Sequence, residues 1–139
     1  MFSVWPVRAH AMIRFFLPAA ALLIAGCSGS DPRGHQVQGS VTYEGKPVPA
    51  GTIQFVPAKG NSGPPAFAKI VDGHFDTAAP GGKGTVGGPH QATVNGFDGK
   101  ADPAKELPVG NPLFLDYHVD VDFPPQDTTM DIVVDLGDK

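Results

Sequence analysis

Glycine and proline interrupt this chain so often that long helices are excluded. The sequence holds 18 glycines and 15 prolines among 139 residues, spread along its whole length. Proline removes a backbone donor and clashes with the preceding helical turn, and a glycine costs a helix interior about 1 kcal/mol. Hydrophobic residues still make up 41% of the chain, which is enough for a packed core. We therefore expect one domain built from strands.

Charge and cysteine content exclude several classes of protein. The formal net charge is −4, and no basic patch of the kind that binds nucleic acid is present. The only cysteine is Cys27, which excludes an intramolecular disulfide and a zinc site built from several cysteines.

The N-terminal 26 residues predict an export signal. Arg8 and Arg14 are the only charged residues before Asp31, and an uncharged run follows from Phe15. That run is shorter than the about 20 apolar residues that a membrane span needs, and a proline interrupts it. Either Met1 or Met12 can be the translation start.

The run ends in Ile24-Ala25-Gly26-Cys27, which resembles the lipobox of bacterial lipoproteins. The resemblance implies that the signal is cleaved before Cys27 and that acyl chains such as palmitate on Cys27 anchor the protein to a membrane. The alternative is an ordinary secretory signal next to an unmodified thiol. In the lipoprotein interpretation, residues 1–26 are the signal, 27–35 the lipidated cysteine and a flexible tether, and 36–139 the domain.

The residue after the lipidated cysteine bears on localisation. Position 28 is serine, and in enteric-type sorting a residue other than aspartate there fits delivery to the outer membrane. We expect a membrane-anchored lipoprotein of the cell envelope that faces the periplasm, with the outer membrane favoured.

Alternating apolar and polar residues predict strands, separated by turn residues. Seven segments show this pattern: 36–43, 52–56, 66–71, 74–77, 89–95, 113–123 and 128–136. A glycine-rich connection covers 78–88, and a polar loop with one possible helical turn covers 96–110. Seven short strands without a convincing helix predict a single antiparallel β-sandwich.

Two hairpins are predicted with a register. Asp72-Gly73 is a strong two-residue hairpin signal, and it pairs Ile70 with Phe75 and Lys69 with Asp76. Segments 113–123 and 128–136 alternate so regularly that we expect a C-terminal hairpin in which every apolar residue meets another. Its pairs are Val121–Met130, Val119–Ile132, Tyr117–Val134 and Leu115–Leu136. Phe97 and Phe114 are then expected outside the main core, where an exposed ring can contact a glycan or a protein.

The first half of the domain resembles a known family. Gly39, Val41, Gly45-Lys46-Pro47-Val48, Gly51-Thr52, Phe55 and Pro57 match the opening strands and turn of carboxypeptidase regulatory-like, transthyretin-like domains. Val71-Asp72-Gly73-His74-Phe75 and the segment 88–94 resemble later parts, although the family's tyrosine is not clearly matched. With its lipobox, the chain is similar to small lipoproteins of planctomycete-type bacteria. The resemblance implies a transthyretin-like or Ig-like sandwich with a binding or structural role. In carboxypeptidases such a domain lies beside a catalytic domain, and this sequence supplies no such catalytic part.

The outer face of the predicted C-terminal hairpin is acidic. Asp116, His118, Asp120 and Asp122 alternate with core residues, and the register sets Asp120 opposite Asp131 and Asp116 opposite Asp135. Carboxylates around a histidine can hold Ca²⁺, although no calcium-loop consensus is present. The alternative is a solvated acidic face that keeps other strands from pairing.

No motif predicts catalysis. The chain lacks G-x-S-x-G, H-E-x-x-H and a phosphate loop. We expect no enzymatic activity and no resident cofactor, but a lipid-anchored module of the cell envelope for protein interaction or structural support. Its partner would be an envelope protein or glycan. The alternative is a module that binds Ca²⁺ or an envelope glycan through the acidic hairpin face.

Overall fold

The computed structural model describes residues 34–137. The predicted signal peptide, the lipobox, Cys27 and most of the tether lie outside these residues, so the predictions made for them stay predictions.

Residues 34–137 form eight strands and one 3₁₀ turn, Pro103–Lys105. The strands are β1 (Val37–Tyr43), β2 (Lys46–Pro47), β3 (Ala50–Pro57), β4 (Ala66–Val71), β5 (His74–Asp76), β6 (Gly88–Phe97), β7 (Pro112–Phe123) and β8 (Thr128–Val134). Within the described range, no helix is long and apolar enough to cross a membrane.

All eight strands belong to one sheet that curls into a half-barrel. Strand β1 pairs with β8 on one side and with β2 and β5 on the other, and the sheet continues through β4, β3 and β6 to β7. Every pairing is antiparallel except that of β1 with β8, which is parallel. The all-β prediction is confirmed, whereas the described residues do not confirm a seven-stranded sandwich.

The seven predicted strands correspond to β1 and β3–β8, with ends that differ by two residues at most. The additional strand, β2, lies in the predicted turn after β1. Lys46 and Pro47 fold back and pair with Tyr43 and Thr42. Gly45, with a φ of 72°, allows this tight reversal because it has no Cβ.

The Asp72-Gly73 hairpin is confirmed in its register. Ile70 pairs with Phe75, and Val71 pairs with His74. Asp72 and Gly73 have φ values of 50° and 79°, and two positive values are what the favoured two-residue turn requires. The further predicted pair, Lys69 with Asp76, lies beyond the end of the β4–β5 ladder.

The predicted C-terminal hairpin is wrong. Strand β8 pairs with β1 from Val37↔Thr128 to Tyr43↔Val134, and β7 pairs with β6. An alternating strand presents one apolar face, and that face can be buried next to any neighbour whose own apolar face points the same way. In β1 that condition is met by Val37 and Val41, which are fully buried.

A bulge in β7 reverses its alternation. Val94 pairs with Tyr117, but Gly96 pairs with Phe114, so two residues of β7 face one residue of β6. Asp116 has a φ of 53°, and its N–H donates to the Asn95 side chain at 2.8 Å. In the part of β7 that precedes the bulge, the even-numbered residues therefore point inward, whereas after the bulge the odd-numbered residues do.

Because of the bulge, the predicted orientations of three residues of β7 are wrong. Phe114 is 5% exposed and belongs to the core, whereas Leu115 is 56% exposed and Leu113 also faces outward. Gly96 makes the space for the ring, because a Cβ there would stand 2.5 Å from Phe114. Sequence alternation carried no sign of this phase change, since the residue in the left-handed conformation is an aspartate and not a glycine.

The core lies on the concave side of the curled sheet. Phe55 is fully buried at its centre, with ring centroids 6.0 Å from Phe75 and 5.2 Å from Phe123. Ile53, Ala92 and Val94 are fully buried as well. A phenylalanine, isoleucine or valine side chain stabilises the fold by about 1.5–3 kcal/mol when it is fully buried.

Candidate functional site

The predicted acidic residues of β7 are exposed on the convex side of the sheet. His118 Nδ1 and Thr93 Oγ1 share a hydrogen bond of 3.1 Å, and Asp120 lies opposite Gln91. Asp122 lies opposite Pro89, and Asp116 sits in the bulge. These side chains form the edge of the sheet and do not face a second acidic strand.

The other two predicted ligands are Asp131, within strand β8, and Asp135, directly after it. Asp131 accepts a hydrogen bond of 2.6 Å from the Ser40 hydroxyl, and Asp135 accepts one of 2.8 Å from the Gly137 backbone. The pairs predicted from the hairpin, Asp120 with Asp131 and Asp116 with Asp135, are therefore not formed. Within residues 34–137, no group of three or more His, Cys, Asp or Glu side chains is placed to hold a metal ion.

A cleft of about 710 Å³ lies elsewhere, on the convex face of β1, β4, β5 and β8. The connection from β5 to β6 forms one wall through Ala79, Pro80 and Gly82. A volume of this size falls in the range of small-ligand sites. The remaining lining residues are Gln38, Gly39, Ser40, Lys69, Val71, His74, Phe75, Asp76, Thr129 and Asp131.

The strand pairings arrange the polar lining in two rows across the sheet. In the first row, Ser40 of β1 lies between Asp131 of β8 and His74 of β5. In the second row, Gln38 lies between Thr129 and Asp76. Because these side chains stand on paired strands, the sheet holds them at a constant spacing of about 4.8 Å.

Hydrogen bonds hold the wall of the cleft in place. Thr77 exchanges two bonds with Val37, from its N–H to the carbonyl at 2.9 Å and from the Val37 N–H to its hydroxyl at 2.8 Å. Asp76 accepts from the Ala78 N–H at 2.7 Å and from the Gln36 amide at 2.9 Å. The glycine-rich connection is held further by backbone bonds between Lys83 and Phe67.

Ser40, His74 and Asp131 are three residue types of a hydrolytic triad, but their order does not fit one. In a triad, the histidine accepts the serine proton and the carboxylate holds the histidine. Here, Ser40 donates directly to Asp131 at 2.6 Å, so the hydroxyl proton points to a carboxylate. The three side chains therefore do not form the serine–histidine–carboxylate relay of a hydrolytic triad.

Sequence reasoning found the outward side chains of β1 but not this cleft. The alternation of segment 36–43 predicts that Gln38 and Ser40 share the polar face of the first strand, and the last strand carries Asp131 on its polar face. Their meeting depends on the parallel pairing of β1 with β8, for which the local sequence carries no signal. The Asp72-Gly73 hairpin predicted that His74 begins a strand, but it did not predict that His74 lies next to Ser40.

A second polar cluster supports a loop. Asp98 accepts from the backbone N–H of Lys100 at 2.9 Å and of Asn111 at 3.0 Å, and from the Asn111 side chain at 3.2 Å. These donors, the Lys100 N–H first, lower the pKa of the Asp98 carboxyl below its ordinary value. The carboxylate closes the loop between β6 and β7, which is a structural role.

A buried histidine lies on β6, and the sequence did not single it out. His90 donates from Nδ1 to the Gly88 carbonyl at 2.9 Å and packs 5.4 Å from the Phe123 ring. Its Nε2 has no hydrogen-bond partner among the described residues. The ring therefore acts as a core side chain with one hydrogen bond.

Comparison of the chain with protein-family models, with curated proteins and with solved structures finds no match.

Proposed function

We propose that this protein is a lipid-anchored, non-catalytic module of the cell envelope that binds a protein partner through the cleft on β1, β4, β5 and β8. The lipobox-like sequence that ends in Cys27 supports the anchor, and Ser28 supports the outer membrane. We also propose that the half-barrel is a variant of the transthyretin-like sandwich that the motifs of β1–β3 resemble.

The observation that carries the proposal is the double row of polar side chains on the floor of the cleft. Ser40, Gln38 and His74 offer donors and acceptors on rigid strands, and Asp131 and Lys69 add charges of both signs. Val71, which is exposed, and Pro80 add apolar contacts. This mixture of polar groups with small apolar patches is typical of protein interfaces that form and dissociate.

The test is crosslinking in the cell from the lipidated protein. A photoreactive amino acid at Gln38 or Thr129, both exposed in the cleft, is expected to capture one reproducible protein. The matched control is Gln54, which is exposed on β3 and does not line the cleft. His74→Ala is expected to abolish capture. Equal capture from Gln54, or capture of bulk envelope protein only, contradicts the proposal.

An envelope glycan is the second candidate, because Gln38, Ser40 and Thr129 also suit sugar hydroxyls. Among the described residues, the only phenylalanine, tyrosine or tryptophan that lines the cleft is Phe75, and its ring is buried in the core. This part of the chain therefore offers no exposed Phe, Tyr or Trp ring on which a sugar could stack, and this favours protein. Thermal melts test for a glycan or Ca²⁺ ligand, since a ligand present at 100 times its Kd adds about 2.7 kcal/mol to the free energy of unfolding. We expect no shift with millimolar Ca²⁺ and none with peptidoglycan fragments.

A further inference from the structure

Besides the two-residue strand β2, strands β7 and β8 are the edge strands among the described residues. Within residues 34–137, β7 pairs only with β6 and β8 pairs only with β1. Each therefore has a row of backbone N–H and C=O groups without a strand partner. Such a row is a template for a further strand.

The two edges approach each other across a gap, which we call the seam. The Tyr117 hydroxyl on β7 donates to the Val133 carbonyl on β8 at 3.4 Å. The seam is wider than one interstrand spacing, since no backbone bond joins β7 to β8. It is no wider there than the reach of one tyrosine side chain. A strand of about 4.8 Å spacing to each neighbour enters when this long bond breaks and the two edges separate.

The core is incompletely covered along the seam. Tyr117, Val119 and Val121 on β7 and Met130 on β8 pack against the core but are only half-buried. The equivalent inward residues at the centre of the sheet, such as Ile53, are fully buried. Apolar side chains of an added strand would remove this surface from water.

The outer face of β7 beside the seam is acidic, because Asp120 and Asp122 are exposed there. A second copy that added its own β7 would place carboxylates next to carboxylates, which destabilises a sheet. A strand with basic outward side chains meets opposite charges instead.

We propose that the seam binds an extended segment of a partner protein in which apolar residues alternate with lysine or arginine. The segment pairs with the edge of β7, its apolar side chains cover Val119 and Val121, and its basic side chains lie next to Asp120 and Asp122. The inference assumes, as the proposed function does, that this protein meets protein partners. It adds a site separate from the cleft and names the chemistry of the occupant.

The test uses the full chain, purified in detergent, and a peptide of about ten residues in which valine alternates with lysine. Binding is measured by calorimetry and located by amide hydrogen exchange. We expect saturable binding with slower exchange in β7 and β8. Asp120→Asn with Asp122→Asn is expected to weaken binding roughly tenfold. The matched pair Asp72→Asn with Glu106→Gln removes the same charge from exposed sites away from the seam and is expected to have no effect.

Two control peptides identify the mode of binding. Replacing lysine by glutamate, or methylating alternate backbone nitrogens of the valine–lysine peptide, is expected to abolish binding. No binding of the valine–lysine peptide overturns the proposal. So does binding that survives methylation, that falls equally in both double variants, or that leaves exchange in β7 and β8 unchanged. Crosslinking from the cleft is independent of this result, so failure at the seam and failure of the proposed function are distinguishable.

Discussion

The Ser40 hydroxyl donates a hydrogen bond of 2.6 Å to the Asp131 carboxylate, and the Ser40 N–H reaches the same oxygen at 3.2 Å. The two residues are 91 positions apart in the chain. They are direct neighbours in the parallel pairing of β1 with β8. This contact joins the first strand to the last and forms the floor of the cleft.

Removing this contact should weaken the attachment of β8. We expect Ser40→Ala to lower the free energy of unfolding by about 0.5–1.5 kcal/mol, the net value of one hydrogen bond. Urea denaturation of Ser40→Ala, Asp131→Ala and the double variant forms a cycle that isolates the pair. If the effects of the single variants simply add, the two side chains do not interact.

Gly96 should be intolerant of a methyl group. In Gly96→Ala, the new Cβ would stand 2.5 Å from the Phe114 ring, and we expect a loss of about 1–3 kcal/mol from overpacking. Phe114→Leu creates space, so Gly96→Ala should be less harmful in that background. Denaturation of the single and double variants measures the difference. Equal losses in both backgrounds would mean that the ring does not occupy this position.

Asp98 should make stability depend on acid pH. Its pKa is lowered in the folded protein by three hydrogen-bond donors. The stabilisation is therefore complete above the pKa of the unfolded chain and is lost as the pH falls through the lower folded value, below about pH 4. Asp98→Asn is expected to lower Tm at neutral pH and to flatten the acid slope. Thermal melts across this range, with exposed Glu106→Gln as the control, test the sign.

Cys27 should decide whether the protein is membrane-bound. Cys27→Ala removes the thiol that the lipobox-like sequence presents for acylation, so we expect the protein to leave the membrane fraction and to lose palmitate label. Ser28→Asp keeps the thiol and is expected to retain the label and to move the protein from the outer to the inner membrane. An unchanged membrane fraction for Cys27→Ala would contradict the lipid anchor.

Much of the fold was predictable because its signals are local. The alternation over 66–71 gave strand β4 with its observed ends, and Asp72-Gly73 gave a hairpin whose register is confirmed at Ile70–Phe75. The bulge was not predictable from local sequence, because the positive φ of Asp116 accompanies a hydrogen bond from its N–H to Asn95 on the neighbouring strand. Phe114 was consequently assigned to the wrong side of the sheet.

The candidate site was predictable only in its residue types. The sequence by itself determined which side chains of β1 and β8 point outward, since side chains alternate along a strand whatever its partner. Only the tertiary structure decided that β8 lies next to β1, which brings Asp131 to Ser40 and leaves β7 and β8 as edges. An apolar face in the sequence indicates that this side of the strand must be buried. It does not indicate which strand will lie next to it. That choice depends on how the whole sheet curls around its core.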